Sequence, residues 1–229
     1  MYQLYIANKN YSSWSLRPWV LMSQLGIPFE ETLIPFSSAP GENWEHYREF
    51  SPNGKVPCLV DNKIAVWDSL AIVEYLAESH PEVWPQERQP RAWARSACAE
   101  MHSGFTSLRS TCPMNVGVRL RLHQLPDALV KDLDRLCELW ESGLEQFGGP
   151  FLAGHAFTAV DAFFVPVAFR IQSYGLQLTP EAKEYAQRLL NLQSVMMWEE
   201  EALKETWRDK SHDEETLAVG VLLQDLRSA

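Results

Sequence analysis

The segment Asn10-Tyr-Ser-Ser-Trp-Ser-Leu-Arg-Pro places Ser12, Ser13 and Ser15 directly after a short β-prone run at residues 2–7. Serine hydroxyls compete with the backbone for hydrogen bonds, so such a cluster shapes turns and caps helices. A strand that runs into a serine-rich turn and then a helix is also the geometry in which hydroxyls and free N–H groups surround an anion. Three further clusters carry polar groups at element junctions: Lys55-Val56-Pro57, Trp67-Asp68-Ser69 and Thr158-Ala-Val-Asp161. Other chemistries find no support. The four cysteines, Cys58, Cys98, Cys112 and Cys137, form no C-x-x-C pair, no histidine stands at metal-ligand spacing, and the six histidines carry no recognisable triad motif. Scattered thiols of this kind read as reduced, buried residues of a cytoplasmic protein, with no metal site.

The elements that must position these groups are legible from pattern. A chain of 229 residues, 46% hydrophobic and 22% charged, suits a soluble globular protein of one large domain or two modest ones. Its net charge of −10, without a Lys/Arg cluster, excludes nucleic acid and anionic membrane as natural partners. The opening MYQLYIANK lacks a secretory pattern, and no apolar run approaches the ~18 residues of a membrane span.

Residues 1–80 alternate short strand and helix patterns. A strand at 2–7, a helix at 16–25 stopped by Gly26 and a strand at 29–34 make a βαβ unit with a parallel pair. A loop at 35–41 and a short helix at 44–50 follow. VPCLV and KIAVW, separated by Asp61-Asn62, form an antiparallel hairpin. Asp68-Ser69 then caps a helix carrying Leu70, Ile72, Val73, Tyr75 and Leu76. The order is βαβαββα. Prolines at 81, 85 and 90 mark residues 81–90 as a linker. Beyond it, residues 91–229 show only helical periodicity and are expected to be all-α, with a terminal helix near 217–226.

This organisation resembles the cytosolic glutathione transferase superfamily, in which a thioredoxin-like domain precedes a helical-bundle domain. Lys55-Val56-Pro57 matches the family's cis-proline segment, where the residue before the proline pairs with the backbone of glutathione. Asp68-Ser69 matches the turn that holds the γ-glutamyl end, with Ser69 on the α-carboxylate and Asp68 facing the α-ammonium. Thr158–Asp161 matches the family's helix-capping box, so Asp161 is a folding residue and not a catalytic carboxylate. Ser12-Ser-Trp-Ser-Leu-Arg17 is similar to the S-S-C-S-W-R of zeta-class members. It departs from that pattern at Trp14 and Trp19, which bears on zeta-type isomerisation more than on glutathione use.

What the resemblance implies is a glutathione transferase, with glutathione as co-substrate and a small electrophilic molecule as second substrate. Ser12 and Ser13 would be the catalytic donors to the thiol, with Tyr11 the next candidate. Lys55, Val56, Pro57, Asp68 and Ser69 would bind glutathione, Lys55 being equally readable as a solvated turn residue. Trp14, Phe36, Phe105 and Arg109, with His102 and Thr106 nearby, would face the electrophile. Arg17, one turn into its helix, reads as structural. A homodimer is implied. The alternatives are a glutathione-dependent isomerase of the maleylacetoacetate type and a non-catalytic glutathione-binding protein. A cysteine-type disulfide reductase is disfavoured because no cysteine precedes Cys58.

Overall fold

The structure, a computed structural model, describes residues 1–37 and 41–227; part of the loop expected at 35–41 and the last two residues of the tail lie outside them. Strand β1 (Tyr2–Ile6) leads through helix α1 (Ser13–Leu25) to β2 (Phe29–Leu33), and α2 (Glu42–Arg48) precedes β3 (Cys58–Asp61), β4 (Ile64–Val66) and α3 (Ser69–Ala77). The sheet order is β2-β1-β3-β4. β1 and β2 are parallel in the register Tyr2↔Phe29, and β3 is antiparallel to both β1 and β4. This is the βαβαββα order of a thioredoxin-like sheet.

Local chemistry fixes the ends of these elements. Gly26 adopts φ 67°, and its N–H meets the carbonyls of Met22 and Ser23, closing α1 in the left-handed conformation that glycine adopts without penalty. Leu16, Val20 and Leu21 are fully buried between the sheet and the helical region. Each contributes about 1.5–3 kcal/mol of transfer free energy. The hairpin turn falls on Asn62-Lys63, one residue later than expected, because Asp61 still pairs with Ile64.

The second region is mostly helical: α4 (Arg88–Ser103), α5 (Thr106–Thr111), α6 (Asp127–Phe147), α7 (Ala159–Tyr174), α8 (Pro180–Leu190), α9 (Gln193–Lys204) and α10 (Lys210–Ala218). α7 is buried along nearly its whole length and packs on α1, α4 and α8, which makes it the central rod of the fold. Its start is the expected box, with Asp161 accepting from the N–H of Thr158 at 2.9 Å. Asp161 also accepts from Leu152 N at 3.0 Å and Tyr185 Oη at 2.7 Å. All four cysteines are buried and unpaired.

The region is not purely α-helical. β5 (Val118–Leu122) pairs antiparallel with β6 (Gly220–Asp225) in a separate two-stranded sheet. The terminal helix expected at 217–226 is corrected accordingly: α10 ends at Ala218 and the chain turns into β6. The reason is visible at Gly220, where a Cβ would lie 2.5 Å from the carbonyl oxygen of Arg121. Only glycine lets the two backbones approach there.

Candidate functional site

Asn8 through Ser12 connect β1 to α1, and this loop is tied down by residues far away in sequence. Lys9 is buried, with Nζ 2.7 Å from Glu31, a second pairing to Glu201, and the ring of Trp19 4.7 Å away. Its N–H donates to Glu205 at 2.6 Å, and its carbonyl accepts from Trp198 Nε1 at 2.9 Å. Asn10 accepts from Gly117 N at 3.1 Å and donates to the carbonyl of Ala202. The segment that carries the serines is therefore set by α9 as much as by its own sheet.

Ser12 is the N-cap residue of α1, yet its hydroxyl makes no capping bond to the helix. Instead its Oγ lies 2.7 Å from Ser15 Oγ, and Ser15 in turn accepts from Ala7 N at 3.4 Å. Here Ser12 donates to Ser15; a hydroxyl is both donor and acceptor, so rotation of the two would let Ser15 hold Ser12 while the Ser12 hydrogen turns to the cavity. Ser12, Ser13, Trp14, Phe36, Lys55, Val56 and Arg109 all border one cavity of about 450 Å³. An adjoining groove of about 430 Å³ runs along Val56, Pro57 and Asp68. The Val56–Pro57 peptide is cis.

At the far end of that groove Asp68 caps α3, accepting from Leu70 N at 3.0 Å, while its other oxygen sits 3.2 Å from His102 Nε2. Burial pulls the His102 pKa down and outweighs Asp68, which raises it. Ser69 was expected to share the capping; it is the first helical residue instead, and its fully buried hydroxyl has no partner among the described residues. An unmade hydrogen bond of this kind costs about 1–3 kcal/mol. It is a place where an incoming acceptor gains.

The remaining expected residues fall on different sides of the cavity. Phe105 does not face it: with φ 50° it precedes α5 and is buried in the core. Thr106 is exposed at the start of α5. His102 lies behind Trp14, edge-on at 5.2 Å. Tyr11 borders the cavity, but its hydroxyl donates to Asp213 at 3.1 Å and accepts from Arg227 at 3.1 Å. Burial, reinforced by Asp213, pushes its pKa up to about 12.

Several lining residues escaped the sequence reading: Trp44, Tyr47, Met114, Arg170 and His212. His212 is stacked on Tyr11 with ring centroids 5.1 Å apart and packs on Phe36 at 4.7 Å, so α10 forms one wall. Arg170 had a legible signal: it is a lone cation inside the apolar run AFFVPVAFRI. Gly54, at φ 63°, lets the ring of Trp44 close over it, where a Cβ would stand 2.6 Å from Trp44 Cδ1.

A thioredoxin-like sheet, a cis-proline groove and a helix-rich second region make up the fold. The comparisons agree. The family profile described as "Glutathione S-transferase, N-terminal domain" matches residues 11–79. The glutathione S-transferase DHAR2 of Arabidopsis thaliana is 29% identical over 188 residues, covering 79% of this chain and 80% of that protein. Maleylacetoacetate isomerase of Mus musculus is 25% identical over 181 residues, covering 77% and 81%. Among solved structures, a glutathione transferase homolog from Burkholderia gl BGR1, with bound glutathione, superposes with a TM-score of 0.64 at 21% identity, covering 88% of this chain and 97% of that one. Residues 11–79 thus match the glutathione S-transferase N-terminal domain, and the chain as a whole has the fold of the solved glutathione transferases.

Proposed function

We propose that the protein is a glutathione transferase that ionises the glutathione thiol at Ser12 and directs the thiolate onto a small electrophile. The observation that carries this reading is the Ser12 hydroxyl itself. It stands at a helix N-terminus without capping it, on the wall of a cavity that continues into the Val56–Pro57 groove. Glutathione would lie along that groove, its cysteinyl backbone paired with Val56. Its γ-glutamyl carboxylate would meet the unpartnered Ser69 hydroxyl at the N-terminus of α3, where an anion is favoured. Asp68 faces the α-ammonium, and Lys55 adds a cation near the ligand's carboxylates.

The Ser12 hydroxyl donates to Ser15 in the unliganded chain; with glutathione bound it would rotate to donate to sulfur and accept from Ser15, and Ser13 is a second donor from the first turn of α1. The thiol proton leaves to solvent, the sulfur lone pair forms the new carbon–sulfur bond, and the leaving group departs with its electron pair. The serine stays protonated throughout. A free thiol has a pKa near ~8.5, so a shift of about two units requires ~2.7 kcal/mol of preferential thiolate stabilisation. A charge-assisted hydrogen bond of ~1.5–3 kcal/mol and a helix end worth ~0.3–1 kcal/mol supply it.

The isomerase reading has one observation in its favour, the likeness to the mouse maleylacetoacetate isomerase together with the paired serines. Against it, Trp19 is a core residue that donates to Glu31 and packs on Trp198 at 5.1 Å. The proposal also includes a homodimer, a reducing compartment for the four free thiols, and a division into a thioredoxin-like unit at 1–80, a linker at 81–90 and a helical unit at 91–229. Retention on immobilised glutathione combined with turnover of a general aryl halide tests the enzyme reading. Retention without turnover of aryl halide or of maleylacetoacetate would leave a binding protein.

A further inference from the structure

Two arginines lie against Trp14 and a third, Arg170, borders the same cavity; Asp68 lines the adjoining groove beside Arg109, but none of the three arginines is ion-paired with it. The guanidinium carbon of Arg17 lies 4.2 Å from the centre of the Trp14 ring, and that of Arg109 lies 4.8 Å from the same ring. Arg17 is buried, also touches Phe163 at 4.8 Å, and its Nε and Nη1 have no hydrogen-bond partner among the described residues. Arg170, buried in α7, donates through Nε to the carbonyl of Cys112 at 2.8 Å and through Nη1 to that of Pro166 at 3.1 Å, and its side chain borders the cavity. Among the described residues Arg109 hydrogen-bonds the carbonyls of His102 and Gly104, at 3.3 and 3.4 Å.

None of the three is ion-paired among the described residues, whereas Arg95, Arg119, Arg135, Arg188 and Arg227 all are. A buried cation is normally paired, because removing it from water is costly. Burial, and then the neighbouring cations, bring the Arg17 pKa down to about 9; burial likewise brings Arg170 to about 10. Carbonyl dipoles and aromatic faces soften the charge without neutralising it.

Arg109 and Arg170 border the same cavity as Ser12 and Ser13, and Arg170 does not border the groove of Val56, Pro57 and Asp68. The thiolate of glutathione brings one negative charge and loses it when the carbon–sulfur bond forms. Asp68 offsets part of the charge but is held by Leu70 N and His102, so an anion on the second substrate would find Arg109 and Arg170 without an ion-pair partner among the described residues. Arginine's planar fork matches a carboxylate, which it binds through two parallel hydrogen bonds.

We propose that the electrophile taken by this site carries a carboxylate, seated by Arg109 and Arg170, with Arg17 supplying positive potential from beneath Trp14. This rests on the glutathione transferase reading above and names its substrate class. The carboxylate is a handle and is unchanged in the reaction.

The test is calorimetric binding of two matched pairs of glutathione S-conjugates: S-(carboxymethyl) against S-(carbamoylmethyl), and S-(4-carboxybenzyl) against S-(4-carbamoylbenzyl). Each pair swaps a carboxylate for a neutral amide of the same shape, at two reaches from sulfur. The carboxylate member of at least one pair is expected to bind about tenfold tighter, as a charge-assisted bidentate pair warrants. That preference is expected to fall below roughly threefold in R109M or R170M. A preference below roughly threefold in both pairs on the unmodified protein overturns the proposal, and needs no variant that might misfold. So does a preference that survives both substitutions undiminished. If glutathione itself fails to bind, the transferase reading falls and takes this inference with it; if glutathione and all four conjugates bind without regard to charge, only this inference falls.

Discussion

Replacing Ser12 with alanine would remove the proposed hydrogen bond to sulfur and the 2.7 Å bond to Ser15, without uncapping α1, because the Ser12 hydroxyl caps no helix N–H. A hydrogen bond to a charged acceptor contributes about 1.5–3 kcal/mol. At ~1.36 kcal/mol per pKa unit, the bound thiol should rise by about 1–2 units. The N-terminus of α1 and Ser13 remain, so the pKa should stay below that of free glutathione. The rate changes less than the ionisation. A thiolate of higher pKa is the better nucleophile, with a Brønsted slope of about 0.4–0.5, so kcat/KM below both pKa values should fall only about 3–10-fold. The assay is ultraviolet titration of thiolate absorbance in the binary complex, run beside a pH profile of kcat/KM. Ser15→Ala should move the same pKa by less than about half a unit, because it only loosens the bond that orients Ser12. Tyr11→Phe should leave it in place, since that hydroxyl is committed to Asp213. A shift below about 0.3 unit in Ser12→Ala with glutathione still bound, or a larger shift in Tyr11→Phe, refutes the assignment.

Other perturbations test the frame around the site. Asp161→Ala strips the acceptor from Leu152 N, Thr158 N and Tyr185 Oη, and should cost about 3–5 kcal/mol of stability in urea denaturation. Gly54→Ala forces the Trp44 ring off the cavity wall and places alanine at φ 63°; glutathione KM should rise several-fold, about 3–10-fold, in steady-state kinetics. His102 has a folded pKa below its ordinary value, so the unfolded chain takes the proton first. Stability should therefore decline as pH falls below about 6.5 and level off once the folded form protonates too. In His102→Gln that part of the pH dependence should vanish from thermal melts.

The first sheet was readable because its signals are local: Gly26 after a helix, a hairpin with a two-residue turn, Asp68 as a cap. Each is settled by neighbours a few residues away. The β5–β6 pair was not readable, because Val118 faces Asp225 across more than a hundred residues of chain and β6 by itself looks like one turn of apolar helix. Phe105 shows the opposite failure. The family resemblance placed it among the pocket candidates, but with a left-handed backbone ahead of α5 it is buried in the core. Arg170 gave a signal that pattern alone leaves ambiguous. An arginine in an apolar run passes for a helix-surface residue until α7 proves buried on all sides.

The ties between Tyr11 and the far end of the chain bear on biosynthesis. Tyr11 and Arg227 are 216 residues apart, and Asp213 holds both of them. A ribosome therefore releases the serine turn long before it makes the residues that brace it. A chain cut short at residue 200 would lack Asp213 and Arg227, and also Glu201, Ala202 and Glu205, so Lys9, Asn10 and Tyr11 would lose these partners together.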